Sequence, residues 1–245
     1  MAMSAQHPSP QAGSAPARRY LRAPVPVRFP VTEEMPEKGP HMELRTTLYL
    51  AVEHAFALGA QIGSDQFVYW DPTNPRECCA PDLFVRKGRV NEEFGCWKVW
   101  ERGAPELAVE IVSRSDEGDR PWQDKLARYR RLGVLELVRF DPDDAQQPLR
   151  IWDQIDGDLV ERDSEDPDFR RCDTLEAFWC VRDRDGLELR LSRDREGTDL
   201  FLTPAEDERR QKDDERRQKE EERRGRLAAE QRVRELEAEL ARRGP

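Results

Sequence analysis

The chain lacks any long hydrophobic run. No stretch approaches the roughly 18 consecutive apolar residues that a membrane-spanning helix needs, and the N-terminus has no basic-then-apolar secretory pattern. Its five cysteines (Cys78, Cys79, Cys96, Cys172 and Cys180) are odd in number and include no CxxC spacing. A disulfide framework is therefore not expected, and a reducing cytoplasm is the expected compartment. There is no glycine-rich phosphate loop, no HExxH and no GxSxG, so three common routes to catalysis are missing. Apolar residues are also sparse, at 37% against 38% charged, which leaves a core only if they are concentrated. A membrane protein, a secreted mini-protein and a fibre are excluded.

Positive charge is in deficit. The 245 residues carry 41 basic and 51 acidic side chains, a formal net charge of −10. Residues 205–243 contain 13 of each, so the other 28 basic and 38 acidic side chains carry the whole imbalance. An acidic body does not suit a general phosphate-backbone binder. Contact with nucleic acid then requires a local basic surface or a divalent metal.

Residues 1–40, rich in Pro, Ala and Ser, have no apolar period and predict a disordered leader that becomes an extended arm near Tyr20–Val31. Leu44, Leu48, Val52, Ala55 and Phe56 predict an amphipathic helix over 43–59 that stops at Gly59. Strand-like stretches follow at 66–70, 82–87, 106–112 and 135–140. The third is nearly all apolar apart from its glutamates, as in a strand covered on both faces. Between the last two, residues 122–133 place Leu126, Tyr129 and Leu132 on one helix face and end at Gly133, which predicts a strand–helix–strand crossover. Stretches at 149–154, 158–163 and 187–192 read as antiparallel additions. The predicted class is α/β, a mixed β-sheet flanked by helices over residues 41–202.

Residues 203–245 predict a charged helix with acid–base pairs at i,i+4: Glu206–Arg210, Asp213–Arg217, Glu220–Arg224 and Glu230–Arg234. Only Ala229, Val233, Leu236 and Leu240 offer a coiled-coil seam, which leaves a short homo-oligomer contact or a solvated helix. Such a helix is expected to protrude, and its removal to leave the melting temperature almost unchanged.

The chemistry concentrates between residues 80 and 142. Pro81-Asp82 opens a strand, where proline is tolerated. Glu110 interrupts the apolar run LAVEIVS, and a carboxylate there is costly unless it is paired or binds a cation. Lys125 lies on the first turns of the next helix. Two carboxylates and a lysine can together hold Mg²⁺ (or Mn²⁺) and a developing charge, because hard oxygen ligands suit that ion beside a phosphate. Three unrelated surface residues are the alternative.

The ordered string PDLFV, PELAVEIVSRS and DKLARYRRLGVLELVRFDP resembles the Uma-two family of restriction endonucleases, a branch of the PD-(D/E)XK nuclease superfamily. The shared elements are Pro81-Asp82, the strand ending Glu110-Ile111-Val112-Ser113, the helix end with Lys125, Tyr129, Gly133 and Val134, and Asp141-Pro142. The resemblance covers roughly residues 41–190. It implies a restriction-endonuclease-like fold and a metal-dependent endonuclease acting on nucleic acid, with DNA the expected partner. It also implies Asp82 and Glu110 as metal ligands and catalytic residues. The superfamily lysine, two residues after the strand glutamate, is Val112 here, so the resemblance nominates Lys125 in its place. The superfamily's first-helix acid is Glu43 or Glu53. Leu137-Val138-Arg139-Phe140 stands where the family more often ends its helix with Tyr-Trp.

Other residues carry weaker signals. His41, at the entry to the first helix, can contact a phosphate or a metal, or neither. Cys78, Cys79 and Cys96 lack the usual metal-ligand spacing. Asp116, Asp119 and Asp124 read as helix caps or outer-shell ligands. Trp97, Trp100 and Trp122 are expected in the core rather than stacked on bases. A catalytically silent module that binds DNA or assembles through its helical tail is the competing function, and the acidic body points toward it.

Overall fold

The computed structural model describes residues 27–30, 39–113 and 119–244. Most of the predicted N-terminal arm (1–26 and 31–38) and Asp116 lie outside these described residues. Residues 27–30 have no regular structure, but Phe29 packs edge-on against Tyr69 at 4.9 Å, and the Tyr69 hydroxyl donates to the Pro30 carbonyl at 2.9 Å.

The first helix, α1 (Gly39–Phe56), starts four residues before the predicted span and stops before Gly59. It buries Leu48, Ala51 and Val52. Then follow β1 (Ala60–Gly63), β2 (Val68–Tyr69), β3 (Cys78–Cys79), β4 (Leu83–Lys87), β5 (Trp97–Lys98) and the short α2 (Val99–Arg102). Next come β6 (Leu107–Ile111), α3 (Asp119–Leu132), β7 (Glu136–Phe140), β8 (Leu149–Ile155) and β9 (Asp158–Glu161). The chain closes with β10 (Arg171–Cys172), β11 (Ala177–Asp183), β12 (Leu187–Ser192) and α4 (Pro204–Arg243).

The main sheet has the order β1-β4-β6-β7-β8-β9. Only β6 and β7 are parallel; their connection runs through α3, and the other neighbours are antiparallel. All five residues of β6 are buried, which agrees with the apolar run read from the sequence. Strand alternation divides the core in two. Leu83, Val85, Leu107, Val109, Ile111 and Val138 pack with α1 residues Leu48 and Val52. Phe84, Ala108 and Leu137 pack on the other face with Tyr129 and Leu132 of α3. Gly63 closes β1 because a Cβ there would come within 2.2 Å of the Phe84 ring.

Two strand expectations change. The stretch at 66–70 contributes only two strand residues, β2, which joins β3 and β5 in a small separate sheet. The stretch at 187–192 is not an addition to the main sheet: β12 pairs with β11 in a three-stranded sheet completed by β10. Residues of that sheet (Cys172, Ala177, Trp179, Leu189 and Leu191) extend the core on the α1 side. Buried Glu136 of β7 links the two sheets by accepting from the Thr174 N–H at 3.2 Å and pairing with Arg162 at 3.4 Å.

The charged tail is a 40-residue helix, but its first turn is anchored. Thr203 and Glu206 form a reciprocal capping box. Glu206 makes a two-point ion pair with fully buried Arg190 (2.9 and 2.7 Å), and Asp207 lies 3.6 Å from His54 of α1. Of the four predicted acid–base pairs, Glu220–Arg224 forms at 2.8 Å. Glu206 turns instead to Arg190, Arg217 takes Asp214, and Glu230 takes Arg226. The tail, expected to protrude and to contribute little to stability, is thus held to the domain at its first turn. No helix among the described residues is long and apolar enough to cross a membrane.

Candidate active site

The antiparallel register of β4 and β6 pairs Leu83 with Val109, and one further step brings Asp82 opposite Glu110. Opposed residues of an antiparallel pair project to the same face. Both carboxylates are nearly buried, with 8% and 5% of the residue exposed. The entry to β4 is fixed by the Asp65 N–H donating to the Pro81 carbonyl at 2.9 Å and by the Ser64 hydroxyl donating to the Asp82 carbonyl at 2.7 Å. Asp82 Oδ2 accepts the Ile111 N–H at 2.7 Å, so this side chain satisfies a backbone donor at the end of β6.

Glu110 points toward α3. Lys125 Nζ donates to its Oε2 at 2.7 Å, and the Tyr129 hydroxyl donates to its Oε1. Lys125 and Tyr129 are four residues apart, and that spacing puts both on one helix face above the same carboxylate. Burial pushes the Glu110 carboxyl up to about 7; the Lys125 ammonium opposes this, and the Asp82 carboxylate adds to it. Tyr129 is held well above its ordinary value, chiefly by burial and then by the Glu110 charge, so it stays a neutral donor. The next strand places Arg139 beside Glu110 in register, where it pairs with Asp141 at 2.8 Å and lies over the Trp122 ring at 5.4 Å.

The first-helix acids do not join this group. Glu43 is exposed, and Glu53 accepts from the Tyr49 hydroxyl at 2.6 Å and from Asn91 Nδ2 at 3.0 Å. The α1 residue that reaches the site is His41, whose Nε2 lies 3.0 Å from the Ile111 carbonyl and 3.6 Å from Asp82 Oδ1. Helical spacing read Tyr129 only as a core residue; its hydroxyl is the contact that the apolar pattern hides. Cys79 is buried and its thiol is pushed well above the ordinary range by burial, so it remains protonated and inert. Asp124 is exposed on α3. Trp97 and Trp122 are buried as expected, whereas Trp100 is 39% exposed and lies 5.5 Å from the Phe29 ring.

Among the described residues, no three His, Cys, Asp or Glu side chains are grouped to hold a metal ion. The oxygen donors that the sheet brings to this end are the Asp82 carboxylate, bonded to the Ile111 N–H, and the Glu110 carboxylate next to it in register, while the Ile111 carbonyl contacts His41. An all-oxygen set of one or two carboxylates fits Mg²⁺, which completes its shell with water and substrate phosphate.

In comparisons with known proteins, the model of the family Uma2, described as "Putative restriction endonuclease", matches residues 31–183. Among solved structures, the chain is similar to "a putative nuclease belonging to DUF820" from Anabaena variabilis. The two are 17% identical, with 52% of this chain and 74% of that chain covered at a TM-score of 0.35. No curated protein matches. The family match spans more than half of the chain and contains both carboxylates, Lys125 and Tyr129, and on that basis the protein belongs to the Uma2 family.

Proposed function

We propose that the protein is a Mg²⁺- or Mn²⁺-dependent nuclease that hydrolyses phosphodiester bonds in nucleic acid, with DNA as its substrate. The observation that carries this reading is the meeting of Asp82, Glu110 and Lys125 at the adjoining ends of β4 and β6 under α3. A buried carboxylate pair is destabilising unless something cationic justifies it, and a hydrolytic site needs just such a pair. Asp82 and Glu110 would hold the metal. When bound, a divalent cation lowers the pKa of water and polarises a phosphate oxygen. Lys125 keeps a positive charge where the scissile phosphate becomes more negative and orients the attacking water. Tyr129 holds the Glu110 carboxylate at Oε1 while Lys125 holds it at Oε2.

A silent module that binds DNA or assembles through α4 is the second reading. It is favoured by the net charge of −10 and by the two-carboxylate limit of the metal ligands among the described residues. Incubating single- and double-stranded DNA and RNA with the protein, with Mg²⁺, Mn²⁺ or chelator, separates the two. The nuclease reading expects metal-dependent cleavage of DNA that Asp82→Asn abolishes. Cleavage in none of the mixtures selects the silent module.

A further inference from the structure

The outer half of α4 carries an exposed apolar stripe on a helix whose other residues are mostly charged. The helix runs for 40 residues, about 60 Å at 1.5 Å per residue, and the anchoring contacts end at Asp207. Beyond that point Ala229, Val233 and Leu236 follow one another at four- and three-residue steps, and Leu240 continues the pattern in the sequence. Val233 is 53% exposed and Leu236 43% exposed. Steps of four and three are those of a two-stranded coiled-coil seam, with Ala229 and Leu236 at d and Val233 and Leu240 at a.

We infer that this stripe is the dimerisation seam of a second copy of the same chain, paired parallel and in register. The charges beside the seam choose both the partner and its direction. Parallel pairing sets Arg232, at g, against Glu237 of the partner subunit, at e, and the two-fold axis repeats that attraction. It opposes no like charges beside the apolar layers, because the other g and e positions there meet Gly225 and Gly244. Antiparallel pairing that matches the same apolar layers would set Arg232 against Glu239 of the partner subunit but also Glu230 against Glu237 of the partner subunit, so repulsion offsets the attraction that parallel pairing keeps unopposed. Like charges in that position are unfavourable.

The seam also has a built-in end. Toward the N-terminus the same positions are Arg226, Glu222 and Lys219, and in-register pairing would set each against its own copy. Repulsion between those layers confines contact to the last two heptads and splays the helices above Ala229. Each domain lies at the N-terminal end of its helix, so a parallel fork carries both domains on the same side of the joint. The dimer itself does not depend on the nuclease reading.

Two heptads make a weak contact, so the test is the mass of the full chain across a concentration series by sedimentation equilibrium. The mass should rise from 28.6 kDa toward twice that value as concentration increases into the hundreds of micromolar. Leu236→Glu should remain monomeric with an unchanged melting temperature, because residue 236 lies far from the folded body. Arg232→Glu should weaken the dimer, and adding Glu237→Arg should restore it by reversing the pair. For direction, Leu236→Cys alone should give an oxidised dimer that the wild type does not form. A wild type that stays monomeric throughout overturns the inference, as does a Leu236→Glu variant that still dimerises. Cross-linking that occurs only when Val233→Cys and Leu236→Cys chains are mixed overturns the parallel arrangement.

Discussion

Removing the Glu206 carboxylate leaves the Arg190 guanidinium charged, buried and short of its main partner. Arg190 is 1% exposed, and apart from Glu206 it bonds the Phe201 carbonyl at 3.2 Å. Breaking a buried ion pair from one side costs about 3–5 kcal/mol. The Glu206 side chain is itself 29% exposed, so water entering its place offsets part of that loss. An expected cost of about 2–3 kcal/mol for Glu206→Ala follows. In a body of this size that corresponds to a fall in melting temperature of roughly 5–10 °C. Two controls isolate the cause. Truncation after Gln211 keeps the capping box and the ion pair, and it removes only exposed helix whose surface pairs are worth less than about 1 kcal/mol each; its melting temperature should match the full chain. Arg190→Met combined with Glu206→Ala removes both charges and should recover part of the loss. Differential scanning calorimetry at neutral pH reads all three. A Glu206→Ala protein that melts within about 2 °C of wild type would refute the claim that this pair fastens the helix to the domain.

Further expectations concern the candidate site. Glu110 binds its proton more tightly when folded, with a value of about 7 against an ordinary carboxyl value of 4.5. Folding stability should therefore decline as pH rises from about 4.5 to 7 and flatten above, by an amount on the order of 3 kcal/mol; Glu110→Gln should remove that slope in urea titrations at several pH values. Lys125→Ala takes a cation from beside Glu110, so it should spare or tighten Mn²⁺ binding while lowering turnover by about 10²-fold or more, as separate calorimetry and single-turnover assays will show. Tyr129→Phe deletes one donor to a buried carboxylate and should lower stability by about 1–3 kcal/mol, measured by chemical denaturation, without emptying the apolar pocket that holds the ring.

The parts of this fold that could be read from the sequence are those set by local pattern. The otherwise apolar β6 and the i,i+3 stripe of α3 make the crossover legible, and the site shows through Glu110, a carboxylate out of place in that strand, and Lys125, which follows in the crossover helix. Pairing between distant segments was not readable. In β12, the stretch Leu-Glu-Leu-Arg-Leu-Ser alternates as if Arg190 faced water, yet Leu189 through Ser192 are all buried, because Glu206 arrives from α4 to neutralise the arginine. β1 has four residues and ends in glycine, too short for a periodic signal, and β11 mixes Arg and Asp into its far end. The site residues that pattern missed fail for a similar reason. Tyr129 counts as apolar by spacing although its hydroxyl bonds Glu110, and His41 stands out at the helix entry while the Ile111 carbonyl it contacts lies 70 residues away. The resemblance implies a first-helix acid at Glu43 or Glu53, whereas the helix turns His41 toward Asp82.

If Asp82 and Glu110 form one cation site, titration calorimetry with Mn²⁺ will register it. The wild-type protein should bind one equivalent of Mn²⁺, alone or with a nucleic-acid fragment present, and melt at higher temperature when loaded. Asp82→Asn and Glu110→Gln should each abolish the heat of binding and the stabilisation while keeping the fold. If the wild type takes up no Mn²⁺ or Mg²⁺ with or without nucleic acid, or if both variants bind as tightly as wild type, the carboxylates are not a metal site and the nuclease reading fails with them.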